Sequence, residues 1–238
     1  MALSDDRRGP ASDDLSGPDR KTQFIELCVF LSLIFPTMVL FFFVRHQKFA
    51  GLDITILATV FHDLAFVGLI VFFVWRNGEP VKRLGWSAGQ FQREVWLGIV
   101  LFVAVFMAAS LLDRFLTASG VSSSHGSLPS FLKAKSPAQY AALTLMIVVV
   151  AFAEETIFRG YLILRLRSLT GSDLGAIVIS SVIFSLGHGY EGTAGMITVF
   201  FIGAVLATVY IWRKNLVAPM VIHFLQDFVS IVLLPLMK

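Results

Sequence analysis

Cysteine is almost missing from this 238-residue sequence; Cys28 stands alone, inside an apolar run. A single cysteine excludes an intrachain disulfide framework and a cysteine-based metal site. Cys28 therefore reads as a small buried hydrophobe. Charge is also scarce. Asp, Glu, Lys and Arg make up 15% of the residues, against ~25% in an ordinary soluble domain. The net charge of +3 implies no nucleic-acid partner, because in an apolar chain Lys and Arg chiefly set membrane topology. There is no internal repeat, no soluble domain and no His-Glu-x-x-His pair. The short alternating segments of a membrane barrel are missing too. The first ~20 residues hold no apolar stretch of the kind a signal peptide needs. They are rich in Asp, Arg, Ser, Gly and Pro, so residues 1–22 are expected to form a disordered tail.

What remains is hydrophobic. Apolar residues are 56% of the chain, Phe alone numbers 23, and the mean hydropathy is +0.79. A bilayer is the matching solvent, and backbone polar groups within it must be paired inside helices or a closed barrel. The apolar runs are too long for barrel strands, so the expected fold is an all-α transmembrane bundle spanning residues 23–238. A span needs roughly 20 apolar residues. Seven are expected, at about 23–44, 52–75, 95–117, 137–165, 174–189, 194–212 and 216–236. Pro36 is expected to kink the first, and Pro137 suits the first turn of the fourth. The Ser- and Gly-rich stretch 119–136 reads as a loop.

Lys and Arg divide unevenly between the two faces of such a bundle. Arg7, Arg8, Arg20, Lys21, Arg76, Lys82, Arg83, Arg93, Arg165, Arg167, Arg213 and Lys214 fall on one side. Arg45, Lys48, Lys133, Lys135 and Lys238 fall on the other. By the positive-inside rule the N-terminus is cytoplasmic, in a plasma (inner) membrane. Trp75, Trp86, Trp96, Tyr140 and Trp212 lie near span ends, as interface anchors do.

Ionisable residues inside spans are costly and mark functional sites by default. The fourth span carries Glu154, Glu155 and Arg159, the fifth ends in Phe184-Ser-Leu-Gly-His188, and the seventh carries His223-Phe-Leu-Gln-Asp227. Glu155 and Arg159 are four apart and can pair on one helix face, whereas Glu154 points ~100° away. Counted at 1.5 Å per residue, Glu154 lies roughly 16 Å from Arg165 and His188 roughly 21 Å from Leu174. His223 and Asp227 lie roughly 10 and 16 Å from Leu216. All four fall in one band near the middle of a ~30 Å core. A structural ion-pair network accounts for one pair, but not for six polar groups at one depth. His62 and Asp63, mid-span in the second helix, read as a local hydrogen-bonding pair that can also reach that cavity. Glu191 reads as a residue of the non-cytoplasmic loop. Gly187, Gly189, Gly192 and Gly195 around His188 fit either close helix packing or an unwound turn.

These motifs, Glu154-Glu155-x-x-x-Arg159, Phe184-x-x-x-His188 and His223-x-x-x-Asp227, resemble in order the three signatures of the CAAX protease and bacteriocin-processing family. The family, also called abortive-infection, includes the type II CAAX prenyl endopeptidases. The likeness runs from about residue 138 to the C-terminus. It implies a glutamic intramembrane endopeptidase acting on a peptide or membrane-protein substrate, with no cofactor and no metal. Glu154 would take a proton from water, His188 would orient that water or share the proton, and His223 would donate to the oxyanion. The last motif position, often Asn in the family, is Asp227 here. An ionised Asp227 would repel an oxyanion, so it either stays protonated or, as we favour, orients His223. Glu155 and Arg159 would be structural or substrate-positioning. The rival readings are a zinc-dependent membrane protease and a non-catalytic membrane immunity or scaffold protein. Arg159 beside the glutamates opposes a cation.

Overall fold

The structure is a computed structural model, and it describes residues 17–44, 51–87, 89–121 and 132–237. The expected disorder of the tail through residue 16 lies outside these residues. So do Arg7, Arg8, Arg45, Lys48 and Lys238 of the charge asymmetry, and residues 122–131 of the Ser- and Gly-rich loop.

The described residues form helices and turns and no strand. Seven apolar helices follow one another: α1 (Arg20–Val44), α2 (Leu52–Arg76), α3 (Phe91–Ala118), α4 (Pro137–Thr170), α5 (Asp173–Leu186), α6 (Gly192–Arg213) and α7 (Val217–Leu236). Six are long and apolar enough to cross a membrane by themselves, while α5 has 14 residues and is the short one. The helix starts have local causes. Asp19 accepts from the Thr22 backbone N–H at 2.9 Å, and bonds from the Thr22 side chain and backbone hold its carboxyl below the usual range. Ser136 caps α4 through Gln139 N, with Pro137 in the first turn, and Ser172 caps α5 through Gly175 N.

Contacts between helix ends define two faces. On the first, Arg20 of α1 donates to Ser168 O at the end of α4, Arg76 of α2 pairs with Glu26 of α1, and Glu94 of α3 pairs with Arg213 of α6. On the second, Gln139 of α4 meets Asp53 of α2, and Leu52, Leu143, Ile147 and Val232 form a small core. The α5–α6 hairpin enters and leaves through the first face. The main core lies between, where Phe30, Phe66, Phe73, Phe158, Tyr161 and Phe184 pack together.

The outside of the bundle is apolar. Only 17% of the most apolar window of α3 is buried in the fold, and Val100, Val103, Met107, Leu111 and Phe115 are exposed along it. A surface of this kind belongs against lipid, and the chain is an integral membrane protein. Cys28 is exposed rather than buried, because it sits on the outer side of α1 beside Val29 and Ile25. Trp75, Trp96 and Trp212 are exposed near helix ends, as interface anchors are. Trp86 departs from that expectation by turning inward, where its Nε1 donates to Thr156 Oγ1 of α4 at 3.1 Å.

A buried polar layer lines the first face. Arg165, 1% exposed, pairs with Glu79 at 2.5 Å and Glu26 at 3.4 Å. Asn77 and Arg76 complete Glu26, and Arg83 completes Glu79. Arg165 was legible as a topology charge only; its burial among acids from α1 and the α2–α3 connection needed the tertiary fold.

Candidate functional site

Two helices change pitch at the site. The α-helical part of α4 ends at Glu154, and Glu155–Leu162 continues as a π-helix. The α-helical part of α7 ends at Asp227, and Phe228–Leu233 is π-helical too. π-turns cluster at functional sites because the wider turn re-aims side chains at a bonding cost. The 100° wheel used for Glu154 and Glu155 therefore does not describe the residues that follow.

Glu155 is fully buried and committed. Its Oε1 receives Arg159 Nη1 at 2.6 Å and His223 Nδ1 at 2.7 Å. Arg159, 1% exposed, lies over the Phe184 ring at 4.3 Å to the centroid and reaches Gly203 O at 3.4 Å. One ion pair thus touches α4, α5, α6 and α7. Gly203 makes this possible, because a Cβ there would stand 3.2 Å from Phe184 Cδ1 and 3.3 Å from Ser181 Cβ.

Glu154 is the uncommitted member. Its Oε2 is buried without a hydrogen bond among the described residues, 3.6 Å from His223 Nε2. It interacts electrostatically with His223, His188, Asp63 and Asp227. Asp227 Oδ2 lies 3.5 Å from the same His223 Nε2. The His223 ring, 5% exposed, is therefore held through Nδ1 by Glu155 and turns Nε2 towards Glu154 and Asp227.

His188 follows the last turn of α5. Its Nδ1 lies 3.0 Å from Phe184 O. A carbonyl only accepts, so Nδ1 carries the proton, and in the neutral ring Nε2 keeps its lone pair. The ring packs on Phe184 at 4.8 Å and Tyr190 at 5.9 Å.

The structure thus gathers Glu154, Glu155, Arg159, His188, His223 and Asp227 into one neighbourhood. Asp63 joins them through its electrostatic contact with Glu154. His62 bonds Asp63 at 3.1 Å and Thr37 at 3.3 Å, as a local pair. Glu191 lies in the short turn Gly189–Glu191 that connects α5 to α6. Its neighbour Tyr190, which no sequence signal marked, interacts with Glu191, Asp227 and Glu154. Gly192 takes φ +80° and ψ 179° where this turn meets α6, an extended positive-φ conformation essentially reserved for glycine. Among the described residues, no three His, Cys, Asp or Glu are arranged to hold a metal ion.

This geometry occupies one segment of the chain, and that segment has a counterpart. Residues 136–229 match the family described as type II CAAX prenyl endopeptidase Rce1-like. The matched segment runs from the cap of α4 to two residues beyond Asp227, and contains all three motifs. The similarity to the CAAX protease family is thereby shown, and it points to a membrane protease with a peptide substrate in a lipid environment. No curated protein and no solved structure matches the chain.

Proposed function

We propose that this protein is a glutamic intramembrane endopeptidase, in which Glu154 activates a water molecule for attack on a peptide bond. The observation that carries the reading is the difference in partners between adjacent carboxylates. Glu155 is ion-paired with Arg159 and bonded by His223, both through Oε1. Glu154 meets no guanidinium within ion-pair distance among the described residues and keeps its buried, unbonded Oε2 among His188, His223 and Asp227.

Each group then has a task. Glu154 takes one proton from water as the water oxygen bonds to the scissile carbonyl carbon. His188 Nε2 accepts the other water hydrogen and sets the direction of attack. The doubly protonated His223 ring gives Nδ1–H to Glu155 and Nε2–H to the oxyanion of the tetrahedral intermediate, and loss of one such donor typically costs ~10²–10³ in rate. Asp227 stands beside the same nitrogen and orients it. Glu154 returns its proton to the leaving amine as the carbon–nitrogen bond breaks. Glu155 and Arg159 hold the His223 ring in place. The N-terminus is on the cytoplasmic side of a plasma (inner) membrane, as the Lys and Arg asymmetry of the sequence implies.

The test is cleavage of a membrane-peptide substrate by purified protein carrying Glu154→Gln, which keeps the shape but accepts no proton. Loss of turnover with an unchanged Tm is the expected result. Full turnover would falsify the assignment. Turnover abolished by a chelator and restored by zinc in the wild type would replace it with a metal mechanism.

A further inference from the structure

A polar cleft lies on the first face, where the start of α3, the end of α6 and the start of α7 meet. It is open, has a volume of about 490 Å³ and is lined by Ser87, Gln90, Arg93, Arg213, Lys214 and Asn215, with the buried Glu94 among them. We propose that this cavity binds a phosphate group, carried by the headgroup of an anionic phospholipid in the leaflet at that face.

Four observations carry the assignment. First, charge: three cations stand against one carboxylate, and Glu94 is already spent, since Arg213 meets it through Nη2 at 2.5 Å and Nε at 3.2 Å. Arg93 and Lys214 are exposed and meet no carboxylate among the described residues. Second, the lining is built rather than incidental. Glu94 is 2% and Asn215 6% exposed, and Asn215 is fixed on both sides, donating to Ser87 O at 3.1 Å and accepting from Val217 N at 2.7 Å. Third, the start of α3 lies in the lining, and the Gln90 side chain there accepts from Arg93 Nη1 at 3.2 Å rather than from the helix backbone. Gln90 begins α3 in the left-handed conformation and caps no first-turn N–H with its side chain, so that turn keeps donors for an anion. Fourth, depth: Trp96 and Trp212, exposed at 68% and 61%, flank the cavity from α3 and α6 as interfacial aromatics do, which puts it level with lipid headgroups. Basic pockets between transmembrane helices at such a face are the form headgroup sites take. Bystander cations that merely set topology would need neither the buried Asn215 brace nor the uncapped turn.

The site is independent of the protease assignment. The protein is purified in detergent, and the Tm is titrated with dioctanoyl phosphatidylglycerol, dioctanoyl phosphatidylcholine and inorganic phosphate. Phosphatidylglycerol is expected to raise Tm saturably and phosphatidylcholine is not. The double variant Arg93→Gln, Lys214→Gln changes only exposed side chains and should keep the unliganded Tm. It should weaken phosphatidylglycerol roughly thirtyfold, since each surface cation contributes about 1 kcal/mol. Lys133→Gln, Lys135→Gln, at the opposite face, should leave the lipid affinity unchanged. An equal, variant-sensitive shift with inorganic phosphate would confirm the phosphate site and assign it to a soluble ligand. No saturable shift, or one that both double variants weaken alike, would overturn the proposal.

Discussion

Glu154 and Glu155 are adjacent in sequence and both keep a buried Oε2 without a hydrogen bond among the described residues, but they differ in their partners. Glu155 neutralises Arg159 and receives His223, so Glu155→Gln leaves a buried guanidinium without its counter-charge. Breaking such a pair costs about 3–5 kcal/mol, and the expected result is a marked fall in Tm together with lost turnover. Glu154→Gln should melt like the wild type. Equal, early melting of both variants would contradict the division of roles. At His188 the two ring nitrogens can be separated. An Asn amide donates from near the Nδ1 position and a Gln amide reaches the Nε2 position. If Nε2 orients water, His188→Gln keeps more turnover than His188→Asn, and the reverse order would refute that role. Much of this site was legible in the sequence, because ionisable residues are rare enough in apolar spans for Glu154, His188, His223 and Asp227 to stand out at one depth. Which nitrogen of His223 meets which carboxylate was not legible, since it depends on how α4 and α7 rotate against each other. Tyr190 carried no signal, because an isolated Tyr at a span end reads as an interface anchor.

The helices were legible as elements because apolar runs separated by polar or Gly-rich stretches allow little else in a bilayer. The π-helical turns after Glu154 and Asp227 were hidden, since the cost of a wider turn is repaid by tertiary partners. So was the role of Gly160, whose Cβ would come 2.8 Å from Leu84 O in the α2–α3 connection. That oxygen belongs to backbone and cannot swing away. Gly160→Ala should therefore destabilise the protein by about 1–3 kcal/mol, as overpacking does, read as a lowered Tm. Gly98 plays the same part between α3 and α7, where a Cβ would meet Val221 Cβ at 2.7 Å and Ala218 O at 3.0 Å. Gly98→Leu should loosen α3 from the bundle, and faster protease nicking next to α3 would report it. An unchanged Tm and digestion pattern would show that the two helices part without cost.

For the whole molecule, the first face gathers Arg20, Arg76, Arg165 and Arg213 at helix ends, and a reporter fused after Arg83 should read as cytoplasmic. A reporter that reads outside would invert the proposed orientation. The short helix α5 has a consequence for the whole assembly. Its 14 residues reach about 21 Å, while the hydrocarbon core is ~30 Å thick. A span this much shorter than the core is accommodated by local thinning of the bilayer, by snorkelling flanking residues or by oligomerisation. The proposed hydrolysis consumes water, and thinning beside α5 would shorten the path by which that reactant reaches Glu154. The same geometry would act as a ruler, because the proposed base Glu154 stands at a fixed depth below one leaflet. A substrate helix whose scissile bond is moved by four residues, about 6 Å along its axis, should slide out of reach and survive intact.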